Sequence, residues 1–152
     1  PKNPYFHELR GQILFDAGKI EEAVKAYAEA AALAPLSALI RLSYAQSLLE
    51  SKQDKAARLN EAIKQLTAAL DIEKRISEPH RMLAIAYGKR GQEGLSRLHL
   101  AEEALMLGKP DFAKREATLA MANLQKSTPA YLRAEDIKTA AETAEKRKKK
   151  EE

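Results

Sequence analysis

Apolar and small residues recur along this chain with the period of amphipathic helices. The clearest segment has an apolar stripe opposite a charged face: Ile20, Ala23, Val24, Tyr27 and Ala31 against Glu21, Glu22, Lys25 and Glu29. With glycines and prolines as boundaries, the pattern predicts helices at about 4–17, 20–34, 36–52, 54–74, 78–90, 92–107, 110–126 and 129–147. The sequence therefore predicts an all-α protein of about eight antiparallel helices.

Small residues at fixed spacings predict how these helices pack. Gly11, Gly18, Ala23, Tyr27 and Ala30 have the spacing of a tetratricopeptide repeat, a helix–turn–helix unit of about 34 residues. Two antiparallel helices should cross at Gly11 and Ala23, because these small residues let the helices approach closely, whereas larger side chains would push them apart. Tyr27 should fill the gap beside the crossing. This spacing indicates a tetratricopeptide-like α–α superhelix, that is, a solenoid with a capping helix at its C-terminal end.

The predicted repeats lie near 4–37 and 38–76, and a third at 77–93 merges into a fourth at 94–127. Ala45 takes the small position of Gly11 in the second repeat, but the spacing from Ala45 to Ala62 leaves five extra residues. We place them in a longer turn or an added helical turn after Asp54, a predicted N-cap. A capping helix at 129–147 and a basic tail at 146–152 complete one predicted domain, 1–152.

Composition and charge narrow the function classes. The chain has 152 residues, 5% of them aromatic, and no cysteine, which excludes disulfides, thiol catalysis and cysteine-based zinc sites. The net charge is +4, and five basic residues stand together in Lys146–Lys150. A frayed, solvated helix end explains this run better than nucleic-acid or membrane binding, since no basic stripe with interleaved aromatic residues accompanies it.

The sequence shows no transmembrane run and no signal peptide. It starts at Pro1 rather than at methionine, so we expect an excised domain or a processed product.

No residues with catalytic spacing were found. The sequence contains no HExxH, GxSxG, P-loop or dinucleotide-binding pattern. The histidines His7, His80 and His99 are far apart in sequence. His99 stands beside Glu102 and Glu103, where an ordinary surface histidine is expected rather than a metal ligand. The sequence therefore predicts no catalytic, cofactor-binding or metal-binding residue.

Stacked helical hairpins instead present a groove that is lined chiefly by the first helix of each pair. By repeat position, the predicted partner-binding side chains are Tyr5, Glu8, Gln12, Phe15, Leu39, Leu42, Gln46, Leu49, Arg81, Ile85 and Lys89. Apolar anchors with a few polar groups suit an extended peptide or a partner helix. The alternative is that some of them, such as Leu42 and Ile85, belong to the core.

One known role of tetratricopeptide grooves is not expected here. Chaperone adaptors hold an acidic C-terminus with a clamp of lysine, asparagine and arginine. The matching positions in this chain are Glu8, Gln12, Ser43, Glu78 and Met82. Because they include two acids and no cation, they should not hold a carboxylate.

The second half contains four short segments of a recognisable kind: an AYG motif, a GxxG turn, an LAEA-type helix and an aromatic-Leu-Arg-Ala segment that ends in Asp-Ile. In this chain they are Ala86–Gly88, Gly91–Gly94, Leu100–Ala104 and Tyr131–Ile137. With these segments the second half resembles the end of BepA-like zinc metallopeptidases, which are bacterial periplasmic proteins with an HExxH catalytic domain and a C-terminal tetratricopeptide domain. The five extra residues and the lysine-rich tail depart from the family pattern.

The resemblance implies a periplasmic substrate-docking domain that recognises outer-membrane proteins and their assembly machinery, and that can pack against the parent's own protease domain. Zinc would belong to that parent, a metalloendopeptidase, and this chain alone should hydrolyse nothing. The alternative is a free-standing tetratricopeptide scaffold in a cytoplasmic complex. An autonomous enzyme or a nucleic-acid binder is the least favoured function.

Overall fold

The computed structural model describes residues 2–152, and over this range it contains eight α-helices and no β-strand. The helices are α1 (Pro4–Asp16), α2 (Ile20–Leu33), α3 (Ala38–Glu50), α4 (Lys55–Ile72), α5 (Glu78–Lys89), α6 (Glu93–Met106), α7 (Pro110–Ala122) and α8 (Pro129–Glu151). The predicted all-α class and the order of the helices are thus confirmed. The largest differences in bounds, four residues each, are at the end of α7, which stops at Ala122 rather than at 126, and at the end of α8, which continues through the basic run to Glu151.

Local sequence explains where most helices begin and end. The turn after α1 contains Gly18 with φ +76°, a left-handed conformation in which a side chain would be strained. At the opposite ends, side-chain oxygens of Asn3, Ser37 and Thr128 accept hydrogen bonds from the first-turn N–H groups of α1, α3 and α8. These short-range interactions define helix ends close to those that the sequence pattern predicted.

The extra residues of the second repeat lengthen α4. This helix has 18 residues where α2 has 14, so most of the insertion forms one added helical turn. Asp54 precedes α4 as predicted, but its role as a capping residue is wrong: its side chain makes no cap hydrogen bond. The backbone of Asp54 is left-handed, with φ +36°, whereas a capping side chain usually stands on extended backbone.

The chain divides into two compact units, the first ending at Pro79 and the second beginning at His80. In the first unit α1, α2, α3 and α4 pack consecutively, each against the next. Gly11 and Ala23 are buried where α1 and α2 meet. A Cβ atom at Gly11 would lie 2.9 Å from ring atoms of Tyr27, so the predicted crossing at Gly11 is confirmed.

In the second unit α6 packs against α7, and α8 packs against both. Its core consists mainly of alanines with two large side chains, Leu98 and Ile137. Helix α6 also contacts α5, where the Ser96 hydroxyl donates a hydrogen bond of 2.7 Å to the Ala84 carbonyl. Helix α6 therefore contacts both the helix before it and the helix after it.

Candidate functional site

The predicted groove residues of α1 and α3 occupy equivalent repeat positions on the two helices. Tyr5 and Leu39 are the equivalent pair at the N-terminal ends of α1 and α3, and they are 69% and 67% exposed. Gln12 and Gln46, the next equivalent pair, are exposed as well. We call these four residues the Tyr5–Leu39 surface. It presents large apolar side chains to solvent in the same place on two successive hairpins.

The other predicted residues of the first unit are partly buried beside this surface: Glu8, Phe15, Leu42 and Leu49. Leu42 is therefore neither a fully buried core residue nor a fully exposed one. Each of these side chains has a covered part and an accessible part.

The Tyr5–Leu39 surface has an acidic side. The Gln12 amide donates a hydrogen bond of 2.8 Å to Asp16, and it accepts one of 3.4 Å from the Tyr27 hydroxyl. Burial, together with the negative charges of Asp16 and Glu8, raises the pKa of Tyr27 to about 12. An acidic ligand group would meet the same unfavourable charges.

Three predicted residues lie on α5. Arg81, Ile85 and Lys89 are spaced four apart, and all three are exposed on one face of the helix. Ile85 is a surface residue rather than a core residue, with 46% of its side chain accessible. Arg81 stands 4.0 Å from Glu103 of α6, a contact at the outer limit for an ion pair.

A second cluster was missed in the sequence. The Nδ1 atoms of His80 and His99 lie 3.0 Å apart, and the Tyr87 ring stacks on His99 with ring centroids 5.6 Å apart. The prediction that His99 is an ordinary surface histidine is wrong, because the antiparallel packing of α5 on α6 half-buries it against Tyr87 and His80. The contact of Ser96 with Ala84 fixes the register of the two helices, and that register carries His80 to His99.

The surroundings of the cluster disfavour its protonation. Burial, together with a charge on His80, lowers the pKa of His99 to about 4. Burial also lowers the pKa of His80, although the Glu102 carboxylate acts in the opposite direction. Glu102 itself pairs with Arg133 of α8 through two hydrogen bonds of 2.6 and 2.9 Å. That carboxylate is therefore committed to a cation of the protein.

No group of three or more histidine, aspartate or glutamate side chains over residues 2–152 has an arrangement that could hold a metal ion. Two facing imidazoles can exchange a hydrogen bond and can respond to pH, since histidine is the side chain that titrates closest to neutrality. The cluster thus joins α5 to α6.

The fold and its exposed positions define a class: an all-α protein built from consecutive antiparallel helices that resemble repeats. No family model matches the chain, and no curated protein matches it either. In the described part of the chain, no helix combines the length and the apolar character that crossing a bilayer requires.

Proposed function

We propose that this chain is a non-catalytic protein-interaction module that holds an apolar segment of another polypeptide on its Tyr5–Leu39 surface. The observation that carries the proposal is the exposure of Tyr5 and Leu39 at equivalent positions of two successive hairpins. Covering such side chains is favourable by roughly 25 cal/mol for each Å² of apolar surface removed from water. A repeated apolar position offers an extended ligand two anchor points instead of one.

The polar groups of this surface favour a particular ligand chemistry. Gln12 and Gln46 can hydrogen-bond to a peptide backbone, because an amide both donates and accepts. Glu8 and Asp16 disfavour an acidic ligand. The proposed ligand is therefore an uncharged or basic polypeptide segment with apolar side chains, such as a strand of an unfolded β-barrel protein.

The proposed binding can be tested with a fluorescently labelled outer-membrane β-barrel protein, unfolded in urea and diluted into the chain. We expect saturable binding in fluorescence anisotropy, with at least a tenfold weaker affinity for the double variant Tyr5→Glu, Leu39→Glu. The matched control is Leu132→Glu, an exposed leucine of α8. Absence of binding, or equal binding by the double variant, would refute the proposal.

We further propose that the module is the substrate-docking domain of a periplasmic zinc metallopeptidase. The support is the sequence resemblance, together with one contact between two of the segments that carry it. Arg133 of the aromatic-Leu-Arg-Ala segment forms the two hydrogen bonds to Glu102 of the LAEA-type helix. The two segments therefore act as one structural unit, as motifs of a shared fold should.

The gene that encodes this chain provides a separate test of this finer proposal. An upstream signal peptide and an HExxH helix in the same reading frame would support it. Their absence from the gene would favour a free-standing scaffold and would leave the binding proposal intact. Under the docking proposal zinc is held by the parent's catalytic domain and not by any residue named above.

A further inference from the structure

Helix α1 carries a second apolar surface, separate from the Tyr5–Leu39 surface. Phe6, Leu9 and Ile13 share one side of the helix, and their side chains are 52%, 61% and 60% exposed. We call these three residues the α1 outer face. Together with Arg10 and Leu14 they line an open depression of about 310 Å³. By helical geometry this side points away from Gly11, which contacts α2.

The second hairpin shows what covers the same side of a repeat. Gly11 and Ala45 are equivalent positions, so Phe6 corresponds to Ile40 and Ile13 corresponds to Ser47. Ile40 and Ser47 are only 1% and 0% exposed. The same helix side is thus accessible on α1 and closed on α3.

The cover on α3 is the end of α2. Ile40 packs in one buried cluster with Ala30 and Ala31, and Ala34 and Tyr44 flank that cluster. Helices α2 and α3 pack directly against each other. A helix with small side chains at successive turns therefore forms the natural complement of this side of a repeat, since small residues let two helices approach closely.

We propose that the α1 outer face docks an α-helix that presents alanines or similarly small residues, spaced as in Ala30, Ala31 and Ala34, from a polypeptide outside this chain. The apolar side chains of α1 are larger than Ile40 and Ser47 at the equivalent positions. A helix with small residues leaves room for them, whereas bulky side chains on both partners would hold the helices apart. The interface would continue the α2–α3 packing by one more helix.

A second copy of this chain fits the face less well. The alanines of α2 that would form the complement, Ala30 and Ala31, are themselves buried, at 0% and 7% exposure.

The probe for the test is a synthetic peptide of residues 20–34 of this chain. A lactam between Glu21 and Lys25, which lie on its charged face, keeps the peptide helical. We expect saturable binding of the labelled peptide to the whole chain in fluorescence anisotropy. Ile13→Glu and Leu9→Ser should each weaken the affinity at least tenfold, while the control Leu36→Glu, at another highly exposed leucine, should leave it unchanged.

A second peptide with Ala30→Leu and Ala31→Leu should also bind at least tenfold more weakly, because bulky residues prevent close approach. Circular dichroism verifies that each variant chain is folded. The proposal is overturned by an absence of saturable binding, by equal binding of both peptides, or by equal binding of the α1 variants. It is also overturned if sedimentation shows a dimer of the chain that Ile13→Glu dissociates, since the occupant would then be a second copy. The residues differ from those of the Tyr5–Leu39 surface, so either proposal can fail alone.

Discussion

The facing Nδ1 atoms of His80 and His99, 3.0 Å apart, join α5 to α6 inside the second unit. A hydrogen bond at this distance requires one Nδ1 to donate and the other to accept, so at least one ring must be neutral. Two protonated imidazoles would repel each other at the same place. Proton uptake by this pair therefore acts against the folded state.

We expect the free energy of unfolding to fall as pH decreases below about 6.5. Burial and the His80 charge lower the pKa of His99 from 6.5 to about 4 in the folded state. Between these two pKa values the unfolded chain binds the proton and the folded chain does not. The contribution of neutral His99 to the free energy of unfolding is therefore fully present above the unfolded-state pKa, and it decreases as the pH falls toward the folded-state pKa. The expected loss for His99 is about 2 kcal/mol between pH 7.5 and pH 5. Urea unfolding at several pH values measures it.

The matched variant for this prediction is His99→Phe, which keeps an aromatic ring against Tyr87 and removes the titrating group. Its unfolding free energy should depend less on pH over the same range. An equal pH dependence in both proteins would contradict the prediction. The ion pair of Glu102 with Arg133 should also make stability fall as the pH decreases. Burial alone would raise the pKa of Glu102, but Arg133 lowers it below its usual value, so this contribution to stability is lost at more acidic pH.

Replacing Gly11 by alanine should destabilise the first unit. The new Cβ would lie 2.9 Å from the ring of Tyr27, which is itself buried and has no room to retreat. Overpacking of this kind costs about 1–3 kcal/mol. Thermal unfolding of Gly11→Ala against the unmodified chain gives the measurement.

Gly88→Ala is the control for this substitution, because Gly88 also lies in a helix. Its Cβ would meet only the Ser96 hydroxyl, at 3.4 Å. Alanine has a higher helix propensity than glycine by up to about 1 kcal/mol, so this variant should be as stable as the unmodified chain or more so. If Gly11→Ala were also neutral, the close approach of α1 and α2 would be disproved.

The ion pair between Arg97 and Glu116 should contribute more to stability than the surface pairs do. Arg97 Nη1 lies 2.9 Å from Glu116 Oε2, and Glu116 is only 4% exposed. Arg97→Met would leave a buried carboxylate without its cation, and because the Arg97 side chain is 35% exposed the cost should lie below the roughly 3–5 kcal/mol of a fully buried pair. Urea unfolding of the single variant should show this loss.

Two further variants serve as controls for the effect of this ion pair on stability. The double variant Arg97→Met, Glu116→Leu removes both charges and should recover much of the lost stability. Arg75→Met breaks an exposed pair with Glu73, at 3.7 Å, and should cost at most about 1 kcal/mol. A similar small effect of Arg97→Met would mean that Glu116 finds water or another partner.

Asp54→Gly should stabilise the start of α4 or leave it unchanged. Asp54 has φ +36° and its side chain accepts no cap hydrogen bond, so glycine relieves backbone strain without removing one. Asp54→Val should lower the melting temperature, because a β-branched residue tolerates this backbone poorly. A loss of stability in Asp54→Gly comparable to that in Asp54→Val would show that the carboxylate contributes after all.

Hydrophobic periodicity and turn residues were sufficient to predict the helices and the crossing at Gly11, because both depend on neighbours within one hairpin. A count of residues between Ala45 and Ala62 revealed the insertion, but only the structure decided that it forms an added turn of α4 rather than a longer loop. The contact between His80 and His99 was not predicted, since the two residues belong to different helices. Once Ala84 and Ser96 are placed opposite each other, the antiparallel register does bring His80 and His99 together, so this signal was present in the sequence.

The sequence by itself determined the all-α class, the helix ends and the small residues at helix crossings, since these are set by local backbone preferences and by side-chain size. Only the tertiary structure decided which apolar residues face water. Phe6 and Ile40 hold equivalent positions in the repeat, yet one is half exposed and the other buried. Burial depends on the helix packed alongside, and α2 covers Ile40, so exposure is a property of the arrangement of helices rather than of residue type.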